Sequence, residues 1–148
     1  MSESATSAAK KRPEFRNINA FTDLPSYRLP AAGIVSILHR ISGVILFLMM
    51  PFIIWMFSTS ISSEISFGRF TSTFNAGMLG LPGALWKLVA LALIWAYLHH
   101  FIAGARHLWM DTHHEAVNKK FGFSSAVFTL AVSVGLTVIL GAKLFGLY

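Results

Sequence analysis

The stretch Ile41–Ser63, ISGVILFLMMPFIIWMFSTSISS, runs for about 23 residues without a formal charge, enough for an α-helix to cross a hydrocarbon core about 30 Å thick. Two further runs resemble it: about 18 residues between Lys87 and Arg106, and about 22 from Phe121 to Ala142. Trp86 and Trp109 bracket the second run as interfacial aromatics do, and Lys143 and Tyr148 anchor the far end of the third. The pattern predicts an all-α integral membrane protein with three transmembrane helices, over about 31–59, 84–112 and 121–146. The first helix starts near Pro30, which places Ser36, His39 and Arg40 at its cytoplasmic end, and Pro51 is a point at which it can kink.

Composition agrees with this class. The chain is 55% hydrophobic and 12% charged, where a soluble domain is roughly a quarter charged, and its mean hydropathy is +0.62. It has too little polar surface to face water on every side. The formal charge of +6 does not point to nucleic acid, because its distribution follows topology. Lys10, Lys11, Arg12, Arg16 and Arg28 precede the first apolar run, and Lys119 and Lys120 lie between the second and third. Positive charge gathers on the cytoplasmic side of membrane proteins, so the N-terminus is expected in the cytoplasm and, after three crossings, the C-terminus in the periplasm. Cysteine is absent, which excludes disulfides, iron–sulfur clusters and thiolate metal sites on this chain.

Residues 1–30 read as a polar tail and an interfacial strap, and 31–148 as the membrane domain. The first eleven residues are small and polar, and Pro13, Pro25 and Pro30 prevent a long helix before the first crossing. Phe15, Phe21 and Tyr27 suit a strap on a protein or lipid interface. The N-terminus lacks the pattern of a cleavable signal and of an Arg-rich transit peptide. A multi-pass protein of a bacterial cytoplasmic (inner) membrane is expected, with the mitochondrial inner membrane as the alternative. Ser58 to Gly83, rich in Ser, Gly and Thr, reads as an outside loop that can hold a short interfacial helix. No internal repeat is present.

Ionisable groups within apolar helices are costly unless paired, so each needs a reason. In the second helix His100, Gly104, His107 and Asp111 fall on one stripe, with His99 and Arg106 on a neighbouring one. His100 lies about 9 Å deeper in the membrane than Arg106. A neutral imidazole at that depth suits an axial ligand of haem iron, and Gly104 leaves room for a flat macrocycle. Equally, His100 can bond another helix and Gly104 can permit close packing. His99 points about 100° away from His100, as a second possible ligand, a core hydrogen-bonding residue or a lipid-facing one. His107 and Asp111 suit either a proton relay or a solvated interfacial pair. Arg106 can reach lipid phosphate or a cofactor carboxylate. His113 and His114 read as loop residues.

A second cluster, Ser36-Ile-Leu-His39-Arg40-Ile-Ser42-Gly43, places Ser36 and Arg40 one turn apart. A quinone needs hydrogen-bond donors in an apolar pocket, and a hydroxyl with a guanidinium supplies them. The alternative is a positive-inside anchor with helix-packing Ser and Gly residues.

Taken together, Ser36-Ile-Leu-His39-Arg40-Ile-Ser42-Gly43 and His100-Phe-Ile-Ala-Gly104-Ala-Arg106-His107-Leu-Trp-Met-Asp111 resemble the cytochrome b subunit of succinate dehydrogenase, from about Arg12 to the C-terminus. That resemblance implies a three-helix anchor that completes a bundle with a second small anchor subunit and docks a flavoprotein and an iron–sulfur subunit. It implies a haem b shared with the partner anchor, His100 as this chain's axial ligand, and His39, Arg40 and His107 at the haem propionates. Ser36 and Arg40 would line a quinone site, with ubiquinone the expected quinone, and Asp111 matches an acidic position suited to a proton relay. The Gly104 offset selects His100 over His99. Such a chain is an anchor subunit of a succinate:quinone oxidoreductase; it has no flavin fingerprint and no succinate-oxidising site of its own. Competing readings are a fumarate reductase anchor, a small membrane transporter and a purely structural subunit.

Overall fold

The computed structural model describes residues 17, 19, 21–23 and 26–148. The polar tail, four of the five basic residues preceding the first crossing, and Phe15 of the expected strap lie outside the described residues. Phe21 and Tyr27 are exposed.

The described chain is helical: α1 (Ala31–Leu48), α2 (Met50–Ile61), α3 (Glu64–Asn75), α4 (Gly83–Thr112) and α5 (Lys119–Leu144). Three of these, α1, α4 and α5, are long and apolar enough to span a bilayer. They pack against one another as a three-helix bundle, while α3 folds back on α2 and α4.

The first apolar run is two helices rather than one rod. Pro51 stands in the first turn of α2 and Met49 leaves helical geometry at φ −88° and ψ 2°. A proline lacks the amide that would bond four residues back, and its ring crowds that carbonyl. The break therefore falls just before it. Beyond α2, α3 begins in a reciprocal cap: the Ser66 amide donates to Ser63 Oγ at 3.1 Å, and the Ser63 amide to Ser66 Oγ at 2.9 Å. A tight turn at Met78–Leu81 leads into α4, and Gly77 at φ +102° occupies a left-handed conformation that a side chain would strain. At the third helix, Asn118 accepts the Phe121 amide at 2.9 Å and starts α5.

The bundle interior is built from small residues. Ala96, Ala103, Ala126, Ser42 and Ser133 are fully buried, whereas Phe47, Phe57, Phe101 and Phe128 are exposed. A water-soluble core would show the reverse. In lipid the tails solvate large side chains as well as other helices do, so close backbone approach is what holds helices together. Gly83 is one such approach: a Cβ there would run into the Phe74 carbonyl of α3. Gly68, in the middle of α3, has open space where its Cβ would stand.

The two glycines should therefore respond oppositely to alanine. Gly83→Ala is expected to destabilise by about 1–3 kcal/mol through overpacking, and Gly68→Ala to stabilise by up to about 1 kcal/mol through helix propensity. Thermal unfolding midpoints of the detergent-solubilised protein would read both signs.

Candidate functional site

The α1–α4 seam brings together three of the residues singled out above, His39, His100 and His107. Ring centroids of His39 and His100 lie 4.1 Å apart at an interplanar angle of 11°, and His107 lies 5.2 Å from His39. The approach depends on two glycines. A Cβ on Gly43 would stand 2.9 Å from His100 Cε1, and a Cβ on Gly104 would stand 3.5 Å from His39 Nε2. The expected clearance at Gly104 is thus taken up by His39, and the glycine that clears His100 is Gly43. Each histidine ring lies over the glycine of the opposite helix.

His100 has one nitrogen committed. Its Nδ1 is 3.0 Å from the His39 carbonyl and 3.3 Å from Ser42 Oγ. The carbonyl only accepts, and Ser42 gives its own proton to the same carbonyl at 2.9 Å. In the neutral ring the proton on His100 therefore sits on Nδ1, which leaves Nε2 with its lone pair. No hydrogen bond within the described residues occupies that nitrogen. His100 lines a groove of about 450 Å³ with His39, Arg40, Gly43, Val44, Phe47 and Leu48. Val44 and Leu48 are exposed and Phe47 is 75% exposed, so the groove opens on the flank of the chain rather than into its core.

His99 takes the other direction. It is 0% exposed, stacks on Trp95, and places Nδ1 3.2 Å from Ser133 Oγ of α5. Ser133 also gives its proton to the Leu130 carbonyl, and His99 Nε2 is buried with no hydrogen-bond partner among the described residues. Of its three sequence-level roles, His99 fills that of a core hydrogen-bonding residue. Arg106 likewise turns to α5: Nε donates to Ser125 Oγ at 2.8 Å and Nη2 to the Gly122 carbonyl at 3.3 Å.

The remaining candidates lie nearby. Ser36 is half-buried one turn before Arg40, and Arg40 is exposed beside His39 on the groove wall. Asp111 is exposed one turn beyond His107, and no ion pair joins the two among the described residues. His113 caps the end of α4, stacked on Trp109. Among the described residues no cluster of three or more His, Asp or Glu side chains is placed to hold a metal ion. Sequence reasoning did not find Ser42 as the partner of His100. Its signal was the Ser-Gly pair three and four residues after His39.

Residues 10–140 match the family described as succinate dehydrogenase/fumarate reductase transmembrane subunit. The chain belongs to this family. Within it, the chain is 37% identical over 89 residues to a succinate dehydrogenase cytochrome b556 subunit of Coxiella burnetii, and 33% identical over 90 residues to the cytochrome b556 subunit of Paracoccus denitrificans. Each match covers 60% of this chain and, respectively, 66% and 62% of the relative's own length, just under two thirds. Family membership makes the three apolar helices those of a transmembrane subunit.

Because Arg106 is a tie to α5 and Arg40 is exposed, their losses should differ. Arg106→Met is expected to lower stability by about 1.5–3 kcal/mol, the scale of hydrogen bonds to a charged group, and Arg40→Met to change it by no more than about 0.5 kcal/mol. Midpoints of thermal unfolding in detergent, compared side by side, measure the difference.

Proposed function

We propose that this chain is the haem- and quinone-binding membrane anchor of a succinate dehydrogenase in a bacterial cytoplasmic membrane. The observation that carries the reading is the committed Nδ1 of His100. Histidines that ligate metals characteristically hold the other ring nitrogen on a carbonyl or carboxylate, which fixes the tautomer and aims the lone pair. His100 has this arrangement before any ligand arrives, and its free nitrogen belongs to a residue lining an apolar groove.

A haem b fits the residues present: one imidazole ligand, apolar walls at Val44, Phe47 and Leu48, and the basic or protonatable groups Arg40, His39 and His107 grouped for its propionates. When bound, the haem supplies a one-electron redox centre inside the bilayer. Because the groove is open-sided, the second axial ligand would come from a second small anchor subunit. A flavoprotein and an iron–sulfur subunit would deliver the electrons of succinate from the cytoplasmic side.

Ser36 and Arg40 form the quinone end of the site. Both donate hydrogen bonds, and a quinone carbonyl accepts them. Reduction to quinol takes two electrons and two protons. Arg40 holds the carbonyl oxygen on which negative charge develops, Ser36 orients the ring, and the electrons arrive from the partner subunits. Asp111, exposed at the same end, is placed to pass protons from solvent. Ubiquinone is the quinone this reading favours. The names of the relatives favour succinate oxidation over the fumarate-reducing direction that the family also includes.

In the complex purified through a tag on this chain, His100→Ala should abolish or shift the b-type band in a reduced-minus-oxidised spectrum, and His99→Gln should retain it. An unchanged spectrum in His100→Ala would remove the ligand assignment. Separately, Arg40→Ala and Ser36→Ala should each slow quinone reduction by about 10- to 100-fold, the rate equivalent of a lost hydrogen bond at the reacting carbonyl. Succinate oxidation with an artificial acceptor should remain near wild type, and wild-type quinone kinetics in both variants would place the quinone elsewhere.

A further inference from the structure

At the end of the bundle remote from His39 and Arg106, a second cleft of about 750 Å³ opens between α2, α3, α4 and α5. Its volume lies within the roughly 300–1,000 Å³ typical of small-molecule sites. Apolar side chains such as Phe57, Phe70, Leu93 and Leu140 form its walls, with Asn75 and Lys87 towards one end and Tyr97 towards the other. Asn75 closes α3 at the first end, and Lys87 stands one turn inside the start of α4. Along α4 the lining runs from Lys87 to Leu98, which at 1.5 Å per residue is about 16 Å. That is about half of a hydrocarbon core about 30 Å thick, the depth of a single leaflet.

Lys87 is the unexplained residue of this cleft. A lysine within a membrane-spanning helix is a functional candidate by default, and its partner has to be named. Its ammonium lies 5.9 Å from the centre of the Phe145 ring, and no carboxylate pairs with it among the described residues. Lys143, in the last turn of α5 two residues before Phe145, adds a second positive charge at this end of the bundle.

We infer that this cleft is a binding site for an anionic phospholipid, with the acyl chain along the apolar walls and the headgroup phosphate on Lys87. The geometry suits this occupant on two independent counts. The cleft is one leaflet deep with its charged lining residue, Lys87, at one end, as an anionic amphiphile of one leaflet requires. The cation at that end has a ring beside it but no carboxylate among the described residues, and it would meet an anion with a charge-assisted hydrogen bond. Asn75 adds an amide donor beside it.

The test uses the assembly purified from membranes through a tag on this chain, washed free of lipid in mild detergent. It is then titrated with phosphatidylglycerol or with phosphatidylcholine of the same chain length. Wild type should show a thermal midpoint raised several degrees further by the anionic lipid than by the zwitterionic one. Lys87→Gln should erase that difference and Lys87→Arg should keep it, so that a fold defect at this position is separable from lost recognition. Leu93→Trp, which fills the cleft, should blunt the response to both lipids. Native mass spectra of the unwashed assembly should show phospholipid retained by wild type and lost from Lys87→Gln. Equal responses to the two lipids in wild type, or an undiminished anionic preference in Lys87→Gln, would overturn the proposal. So would retention of a quinone or of a partner helix cross-linked to Lys87 in place of phospholipid.

Discussion

The hydrogen bond from His100 Nδ1 to the His39 carbonyl is the contact on which the arrangement of the bundle turns. It joins α1 to α4 across a seam whose buried apolar contact is Val35 against Ala103. It also sets the tautomer of His100 and with it the availability of Nε2. A helical carbonyl normally bonds only the amide four residues on, here that of Gly43. Because Gly43 has no Cβ, a ring from the facing helix can approach the same carbonyl as a second donor. Ser42 adds its hydroxyl to that oxygen and backs the imidazole from behind. Three consecutive parts of one motif, His39, Ser42 and Gly43, therefore serve a single side chain on another helix.

The adjacent histidines divide the work of the bundle. Rotated by about 100°, His100 reaches α1 and His99 reaches α5, so one dipeptide ties the middle helix to both of its neighbours. Arg106 repeats the tie to α5 two turns further on. In an interior of alanines and serines these polar contacts are directional where apolar packing is not, and they define a register that small residues alone leave free. His99 and Arg106 are thereby spent on structure. The residues left open to a ligand are those on the α1–α4 flank.

Much of this was legible from residues. Three charge-free runs of sufficient length made the spans readable, and Pro51 marked the break between α1 and α2. What escaped was everything that depends on helix rotation about the bundle axis. Gly104 reads from sequence as the clearance for a macrocycle, yet the structure gives that space to His39, because the phase of α1 against α4 has no signature in either helix alone. Arg106 reads as a lipid or cofactor contact because its partners, Ser125 and Gly122, lie on a third helix and look like any other small residues. The start of α3 was obscured for a local reason: its reciprocal cap is closed by Ser66, where the recognisable pattern has Glu or Gln. Lys87 reads only as the edge of an apolar run, and its place at the mouth of a cleft needs α2 and α3 folded back beside it.

The open side of the His100 groove bears on what the chain can do alone. The Nε2 of His100 is held on one helix, but the apolar residues around it, Val44, Phe47 and Leu48, are exposed. On the proposed reading, a flat, largely apolar cofactor seated there would have one face or edge unprotected, and His100 would supply only part of the iron's ligand set. Both deficits would be met by the same event, the arrival of a second helical subunit on this flank. On the proposed reading, then, cofactor retention and subunit assembly are linked equilibria: whatever binds only the assembled state also stabilises it. The chain's own contribution is the part that needs no partner, an imidazole whose tautomer is already fixed by the carbonyl of His39.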